Sequence, residues 1–469
     1  MRNLLKNSIT TVFFGSLLIA FCSIGIYRYN IGQVFYYDFG IFAHTIWQLS
    51  RIQVPVIHHI VLGNVVFLGD HFNPGLMLLA PLFWLTSDLR ILLIEQAFAL
   101  TASGVMVFLI ALRSRLRYIS AIAVSAAYLF FAGSENPLVT DWHPENTAAF
   151  FLLLFVYLYI FTARRILSIF VFIAFLSLKE SNAISAVALL IPLLIFIRDK
   201  RKQTALLIVF SMLYFVIAVK VIIPYFAHQP YIYSPHISYS PIQIAQNFVN
   251  SSSKIKLIND SFLSFGYLPI LSGVLLLPVF SELAFRLAPD STIFNNLTLG
   301  QHYNVLLGVF LALATLFSLK VIQKLTRNNP IPEAGFSLYL ILVSLYVARK
   351  ITGSPINLAI NPTFWQQLQP RESFFRSIEK VPRLGSVMAQ NNVLPFVVNR
   401  KEQVFLTTVN YELVMPEIIV LDLSDTQNVN NFYGSNRSSV EDVEIKLRSD
   451  SKYTKVDTAN KKIFIYVRK

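Results

Sequence analysis

Residues 90–117, RILLIEQAFALTASGVMVFLIALRSRLR, decide how this chain folds. Positions 90–112 form an apolar run which, at about 1.5 Å per helical residue, is long enough to cross the roughly 30 Å hydrocarbon core of a bilayer. The run ends in Arg113, Arg115 and Arg117, and a basic cluster of this kind marks the cytoplasmic end of a membrane helix. Three more clusters follow: Arg164 and Arg165; Arg198, Lys200, Arg201 and Lys202; Lys320, Lys324 and Arg327. Apolar runs recur from residue 8 to residue 349, so the expected fold is mainly α, a polytopic transmembrane bundle of about 11 membrane helices.

Composition agrees. The 469 residues are 55% hydrophobic and 14% charged, with a mean hydropathy of +0.57, which excludes an ordinary soluble domain. A membrane β-barrel would instead show short alternating segments. The net charge of +14 invites a nucleic-acid reading, but the basic residues fall between apolar runs, where they set orientation. Contact with anionic lipid is a second use for them. Cys22, the only cysteine, lies inside the first apolar run, so no intramolecular disulfide forms. That run, about 8–27 after Arg2 and Lys6, lacks a small-residue cleavage site and reads as a retained helix.

Counting helix ends from an internal N-terminus leaves residues 29–89 as one external loop with two short elements. Phe39 to Ile52 is amphipathic and Phe72 to Leu85 is apolar but brief; both are expected to lie along the membrane or re-enter it. The same parity puts residues 141–145 outside, Lys179 and Glu180 at an outer hairpin tip, a further hairpin at about 257–288, and Gln301, His302 and Tyr303 outside again. All eight histidines (His44, His58, His59, His71, His143, His228, His236 and His302) map to that side. From residue 362 the pattern changes to short β-type runs, Val387 to Gln390, Val404 to Leu406, Ile418 to Leu423 and Ile463 to Val467. The expected division is a membrane domain, 1–361, and a small α/β domain, 362–469, on the outer face.

Ionisable residues beside a bilayer are costly unless paired or wet, which makes each a functional candidate. Asp38, in Tyr37-Asp38-Phe39-Gly40, either caps a helix or acts as a general base; Asp70 and His71, ahead of Pro74, pose the same choice. Asp141-Trp142-His143-Pro144-Glu145 holds three candidate metal ligands, Asp141, His143 and Glu145, suited to Zn²⁺ or Mn²⁺. It also fits a helix N-terminus with Pro in the first turn. Lys179-Glu180 reads either as an ion pair or as a phosphate-neutralising lysine with an orienting carboxylate. His302 and Tyr303 sit where phosphate or sugar contacts are possible, although Tyr is common at membrane boundaries without such a role.

Taken in order, Tyr-Asp-Phe-Gly at 37–40, Asp-His-Phe-Asn-Pro at 70–74, Asp-Trp-His-Pro-Glu at 141–145, Leu-Lys-Glu-Ser at 178–181, Gln-His-Tyr at 301–303, Ser386-Val-Met-Ala-Gln-Asn-Asn-Val-Leu-Pro395 and Ile419-Val-Leu-Asp422 resemble the DUF2079 family of predicted bacterial and archaeal membrane proteins. That family looks like a branch of the GT-C glycosyltransferases, which take sugars from polyprenyl phosphates and keep an essential acidic residue in the first external loop. The resemblance implies a transferase at the outer face of a prokaryotic cytoplasmic membrane, moving a sugar to a glycan, lipid or protein acceptor. It implies that Asp38 is the base and that Asp141 stands where relatives keep a second acid. This chain carries a single Asp at 38 rather than an acidic pair.

On this reading Lys179, His302 and Tyr303 hold the donor phosphate, while Asp70, His71, His143, Glu145 and Glu180 position substrate, with a divalent metal as a possible cofactor. Two alternatives remain: a transporter or flippase for a lipid-linked or anionic solute, and a non-catalytic assembly protein that docks through its outer domain. Transporters tend to show repeated halves and polar groups at mid-membrane; the polar residues here sit at helix ends and no halves match.

Overall fold

The computed structural model describes residues 2–234, 240–289, 297–300, 302–366, 371–425 and 427–469. His236 and Gln301 lie outside the described residues. Among the described residues, six helices are long and apolar enough to cross a membrane: Lys6–Asn30, Arg90–Arg113, Arg198–Ala227, Leu268–Leu287, His302–Leu325 and Pro330–Ile351. A broken pair, Tyr118–Leu129 and Ala132–Leu138, bends by 59°, and Pro74–Leu85, Glu145–Phe161, Arg165–Leu176 and Asn182–Phe196 are shorter apolar helices. Helices suit these segments because lipid offers no partner to backbone N–H and C=O groups, which must pair within the segment.

Packing orders them from centre to rim. The apolar window of His302–Leu325 is 78% buried, against 28% for Lys6–Asn30 and for Arg198–Ala227, so the first is the hub and the other two face lipid. Small residues let helices close in: a Cβ on Gly104 would meet Leu129 at 2.6 Å, and Ser125 Oγ donates to the Gly104 carbonyl at 2.6 Å. The break after Leu129 is repaired from outside the helix. Ser354 Oγ donates to the Phe130 carbonyl at 2.9 Å, and the Ile356 amide donates to Glu135 at 2.6 Å.

The basic clusters gather at one end of the bundle. The Arg117 amide and guanidinium donate to Glu333 at 2.9 and 3.1 Å, Gln323 reaches the Arg115 carbonyl, Arg113 contacts the Tyr157 hydroxyl, and Lys200 caps the Tyr159 carbonyl. The expected hairpin near 257–288 is present. Lys254 Nζ donates to the Leu287 carbonyl at 2.8 Å, and Phe262 lies 6.1 Å from Phe280, so the arms Ser252–Ser264 and Leu268–Leu287 run antiparallel. Its first arm carries Lys256 and Asp260 as an ion pair at 2.6 Å, so it is amphipathic rather than apolar.

Among the described residues, seven short strands lie at the end of the bundle opposite the basic clusters. β1 (Val56–His59) and β2 (Gly63–Val66) form an antiparallel hairpin in the first loop. β3 (Val387–Ala389), β4 (Val404–Leu406), β5 (Ile418–Asp422), β6 (Tyr453–Val456) and β7 (Ile463–Arg468) form a sheet of order β4-β3-β5-β7-β6, parallel across β4, β3 and β5 and antiparallel across β5, β7 and β6. Alternate residues along a strand face opposite ways, and here each face has its own core. Met388, Ile419, Leu421 and Tyr466 pack with Val440 and Leu447 of helix Arg437–Ser449. Val387, Ala389, Val420 and Ile465 instead join the core that contains Tyr36, Phe39 and Ile46.

That shared core reaches into the first loop. The Phe39–Ile52 element contains the helix Ile41–Ser50, eight of whose ten residues are buried within the protein. The sheet domain covers it, and His44 Nδ1 bonds the Val398 carbonyl at 2.6 Å.

Candidate functional site

Asp38 closes the turn that follows the first membrane helix. Its backbone sits at φ 102°, ψ −88°, a conformation that costs an L-residue about 1–3 kcal/mol and persists only where the surroundings enforce it. The carboxylate caps neither flanking helix. It is 43% exposed and lies 3.6 Å from His143 Nε2. Burial alone would raise its pKa; the neighbouring His143 outweighs that and holds it below the usual carboxylate range.

Behind Asp38 the charges are buried and interlocked. His143 stacks on His302 with ring centroids 3.6 Å apart, and both rings approach Glu145, at 3.8 and 3.9 Å. Lys179 Nζ donates to Glu145 Oε1 at 2.6 Å and lies 5.8 Å from the Tyr303 ring centroid. Glu145 and Glu180 outweigh the burial penalty on Lys179 and raise its pKa, so the ammonium stays charged. Lys179 and Glu180 are therefore not an ion pair with each other: successive residues of the turn point to different partners.

Glu180 belongs to a second cluster. Its Oε1 accepts from His71 Nδ1 at 2.9 Å and from Tyr231 at 2.8 Å, and its Oε2 accepts the Phe72 amide at 3.0 Å. Asp70 accepts from Tyr233 at 2.7 Å, and the Tyr233 ring stacks on His71 at 4.6 Å. The amides of Val61 and Leu62 donate to His59 Nδ1, so the proton of that neutral ring sits on Nε2, facing Tyr37 and Tyr233 at 3.2 and 3.3 Å. Gly69 permits this packing, because a Cβ there would stand 2.8 Å from the Ala227 nitrogen.

Asp141 is buried and is held by Arg28 at 3.7 Å and the Phe35 amide at 3.0 Å. Burial pushes its carboxyl up to about 7, with Arg28 opposing and Asp38 adding to the rise. It ties the end of the first membrane helix to the 141–145 turn. The group with metal-ligand geometry is instead His143, Glu145 and His302, whose ligand atoms lie within 4.8 Å of one another. The donor types suit Zn²⁺, but the Lys179 ammonium already occupies Glu145 Oε1.

Sequence reasoning missed several members. Arg286 is buried, donates to Asn304 Oδ1 at 2.5 Å, and has no partner for its Nη2 among the described residues. Glu282, one turn earlier, accepts from Ser185. An Arg and a Glu four apart inside an apolar run were the available signal. Glu95 accepts from Trp142 at 2.9 Å and Thr147 at 2.6 Å, and so orients the 141–145 turn. Of the other histidines, His44 and His58 are structural, and His228 ends the helix Ile223–Ala227.

Fold and site together define a polytopic membrane protein with a buried charge cluster beneath a sheet domain. The chain belongs to the DUF2079 family of predicted membrane proteins, whose model matches residues 33–462. No curated protein gives a significant match. Among solved structures it is similar to ArnT from Cupriavidus metallidurans in the apo state, at 11% identity and TM-score 0.49 over 98% of each chain. The undecaprenyl phosphate-bound form of ArnT gives 10% identity and TM-score 0.48 over 97% of this chain and 98% of that one. Arabinofuranosyltransferase AftD from Mycobacteria gives 12% identity and TM-score 0.43 over 92% of this chain but 40% of its own.

Proposed function

We propose that this protein is an inverting membrane glycosyltransferase that takes a sugar from a polyprenyl-phosphate donor at the outer face of a prokaryotic cytoplasmic membrane. The observation that carries the reading is a half-exposed Asp38 carboxylate 3.6 Å from His143, which stacks on His302 and adjoins the Glu145–Lys179 pair. The acceptor is a hydroxyl of a glycan, lipid or protein. Its oxygen attacks the anomeric carbon, its proton passes to the Asp38 carboxylate, and the bond from that carbon to the phosphate oxygen breaks with both electrons leaving on the polyprenyl phosphate. Lys179 and Arg286, with His302 and Tyr303, meet the charge that develops on the leaving phosphate. His143, Glu145, Asp70, His71 and Glu180 position the sugar, and Asp141 fixes the turn that carries His143. A divalent ion could join His143, Glu145 and His302 only by displacing Lys179 from Glu145, so no role in the transfer is assigned to one.

The test uses the purified full chain with a panel of undecaprenyl-phosphate-linked hexoses and pentoses. Asp38→Asn is expected to remove donor turnover without changing the thermal midpoint by more than a few degrees. Turnover retained by that variant would sink the assignment of the base, and counterflow of a labelled lipid in liposomes with no covalent product would support transport instead.

A further inference from the structure

We propose that the C-terminal sheet domain sets the conformation of the Asp38 loop, with Asn391 as the clamp. The Asn391 carbonyl accepts the Tyr36 amide at 2.7 Å, and its side-chain Oδ1 accepts the Tyr37 amide at 2.9 Å. Its Nδ2 donates to the Asn430 carbonyl at 2.9 Å, which fixes the amide so that Oδ1 must face Tyr37. The two amides immediately before Asp38 are thus held by one residue of the other domain, and the next backbone unit is the strained one. The Tyr37 ring lies 5.0 Å from Tyr433 of the same domain.

The loop is tied at its other end too. Gln390, beside Asn391, bridges to the main chain of Asp422 through its amide group, donating at 3.1 Å and accepting at 2.5 Å. The Asp422 carboxylate pairs with Arg371. The Arg371 amide reaches the Asn30 carbonyl at 3.4 Å, and its side chain fills the space beside Gly32, where φ is +75° and a Cβ would stand 2.9 Å from Nη1. Residues 30 and 36–37, the two ends of the segment leading to Asp38, are therefore both anchored on the sheet, through the two C-terminal motifs at 386–395 and 419–422. If Asp38 is the base of the proposed transfer, Asn391 is a positioning residue for it. The clamp itself does not depend on that reading.

Full-length protein in detergent is compared by amide hydrogen exchange and by carbodiimide labelling of carboxylates, neither of which needs a sugar donor. Asn391→Leu keeps the shape but removes the side-chain acceptor, and is expected to speed exchange at Tyr37 about tenfold, with a smaller rise at Tyr36, whose acceptor is the main-chain carbonyl, and to raise Asp38 labelling, while strands 418–422 and 463–468 stay protected. Asn391→Asp keeps Oδ1 for the Tyr37 amide but sets its second oxygen against the Asn430 carbonyl, so its exchange rate at Tyr37 is expected to fall between those of wild type and Asn391→Leu. Unchanged exchange at Tyr37 in Asn391→Leu, or an equal rise in Asn391→Asp, would overturn the proposal. Should Asn391→Leu fail to fold, Asn391→Ala is read by the same criteria. Retained turnover in Asp38→Asn would overturn the transferase reading and leave the clamp standing.

Discussion

His143 lies flat against His302, with ring centroids 3.6 Å apart and planes 20° from parallel. Like charges on two rings at that distance would repel each other. Asp38 flanks it on one side and Glu145 on the other, and Lys179 competes with the stack for the Glu145 carboxylate.

That competition has a measurable form. Lys179→Ala frees Glu145 Oε1, and the affinity for Zn²⁺ in equilibrium dialysis should tighten at least about tenfold relative to wild type, since a carboxylate and two imidazoles then face one point. Adding His302→Phe should erase the gain. Equal affinity in wild type and Lys179→Ala would show that the ammonium does not block the cluster.

The strained backbone at Asp38 predicts a trade of stability against activity. Asp38→Gly should raise unfolding stability by about 1 kcal/mol, because glycine tolerates φ 102°, while abolishing donor turnover. A lower thermal midpoint for this variant would mean that the turn is not strained.

Glu180 and His71 give the second cluster a pH signature. Burial alone would raise the Glu180 carboxyl, but His71 and Lys179 outweigh it and hold it down to about 2. Glu180 and Asp70 likewise outweigh burial and raise the His71 pKa. A depressed carboxyl stabilises the fold above its unfolded pKa of about 4.3 and loses that contribution as pH falls toward its folded value. A raised histidine contributes fully below about 6.5 and loses that contribution as pH climbs through its folded value. The cost of Glu180→Gln should therefore peak between about pH 4.5 and 6.5, at roughly 3 kcal/mol, and shrink on both sides. Thermal unfolding from pH 2 to 9 reads this directly, and a flat difference would count against the pair.

Gly69→Ala should cost about 1–3 kcal/mol, because the new methyl meets the Ala227 backbone at 2.8 Å. The displaced loop carries Asp70 and His71, so protection of the 67–73 amides should fall first. An unchanged midpoint would mean that the helix Ile223–Ala227 yields without cost.

Much of the architecture was legible because membrane helices announce themselves through length, apolarity and basic ends; the Arg113 and Arg117 cluster does lie at the opposite end from Asp38. Asp38, His143, Glu145, Lys179 and His302 stood out singly as ionisable residues beside apolar runs. Their grouping was hidden, since Lys179 looks like a partner for Glu180 in sequence and bonds Glu145 in space. β1, β2 and β6 escaped notice because four-residue strands with mixed polarity carry little period-two signal. The helix Ile41–Ser50 looked amphipathic, but its polar residues are bonded inside the protein: His44 to the Val398 carbonyl and Gln48 to the Val56 amide. The motif at 386–395 contains Asn391, but nothing in it shows that this residue bonds the amides of Tyr36 and Tyr37, more than 350 positions earlier.

The acceptor that steadies Tyr37 lies 354 residues further along the chain. Translation therefore delivers Asp38 to the bilayer well before the residue proposed to shape its turn. On the proposed clamp, the turn takes its final form only once Asn391, 354 residues beyond Tyr37, has left the ribosome.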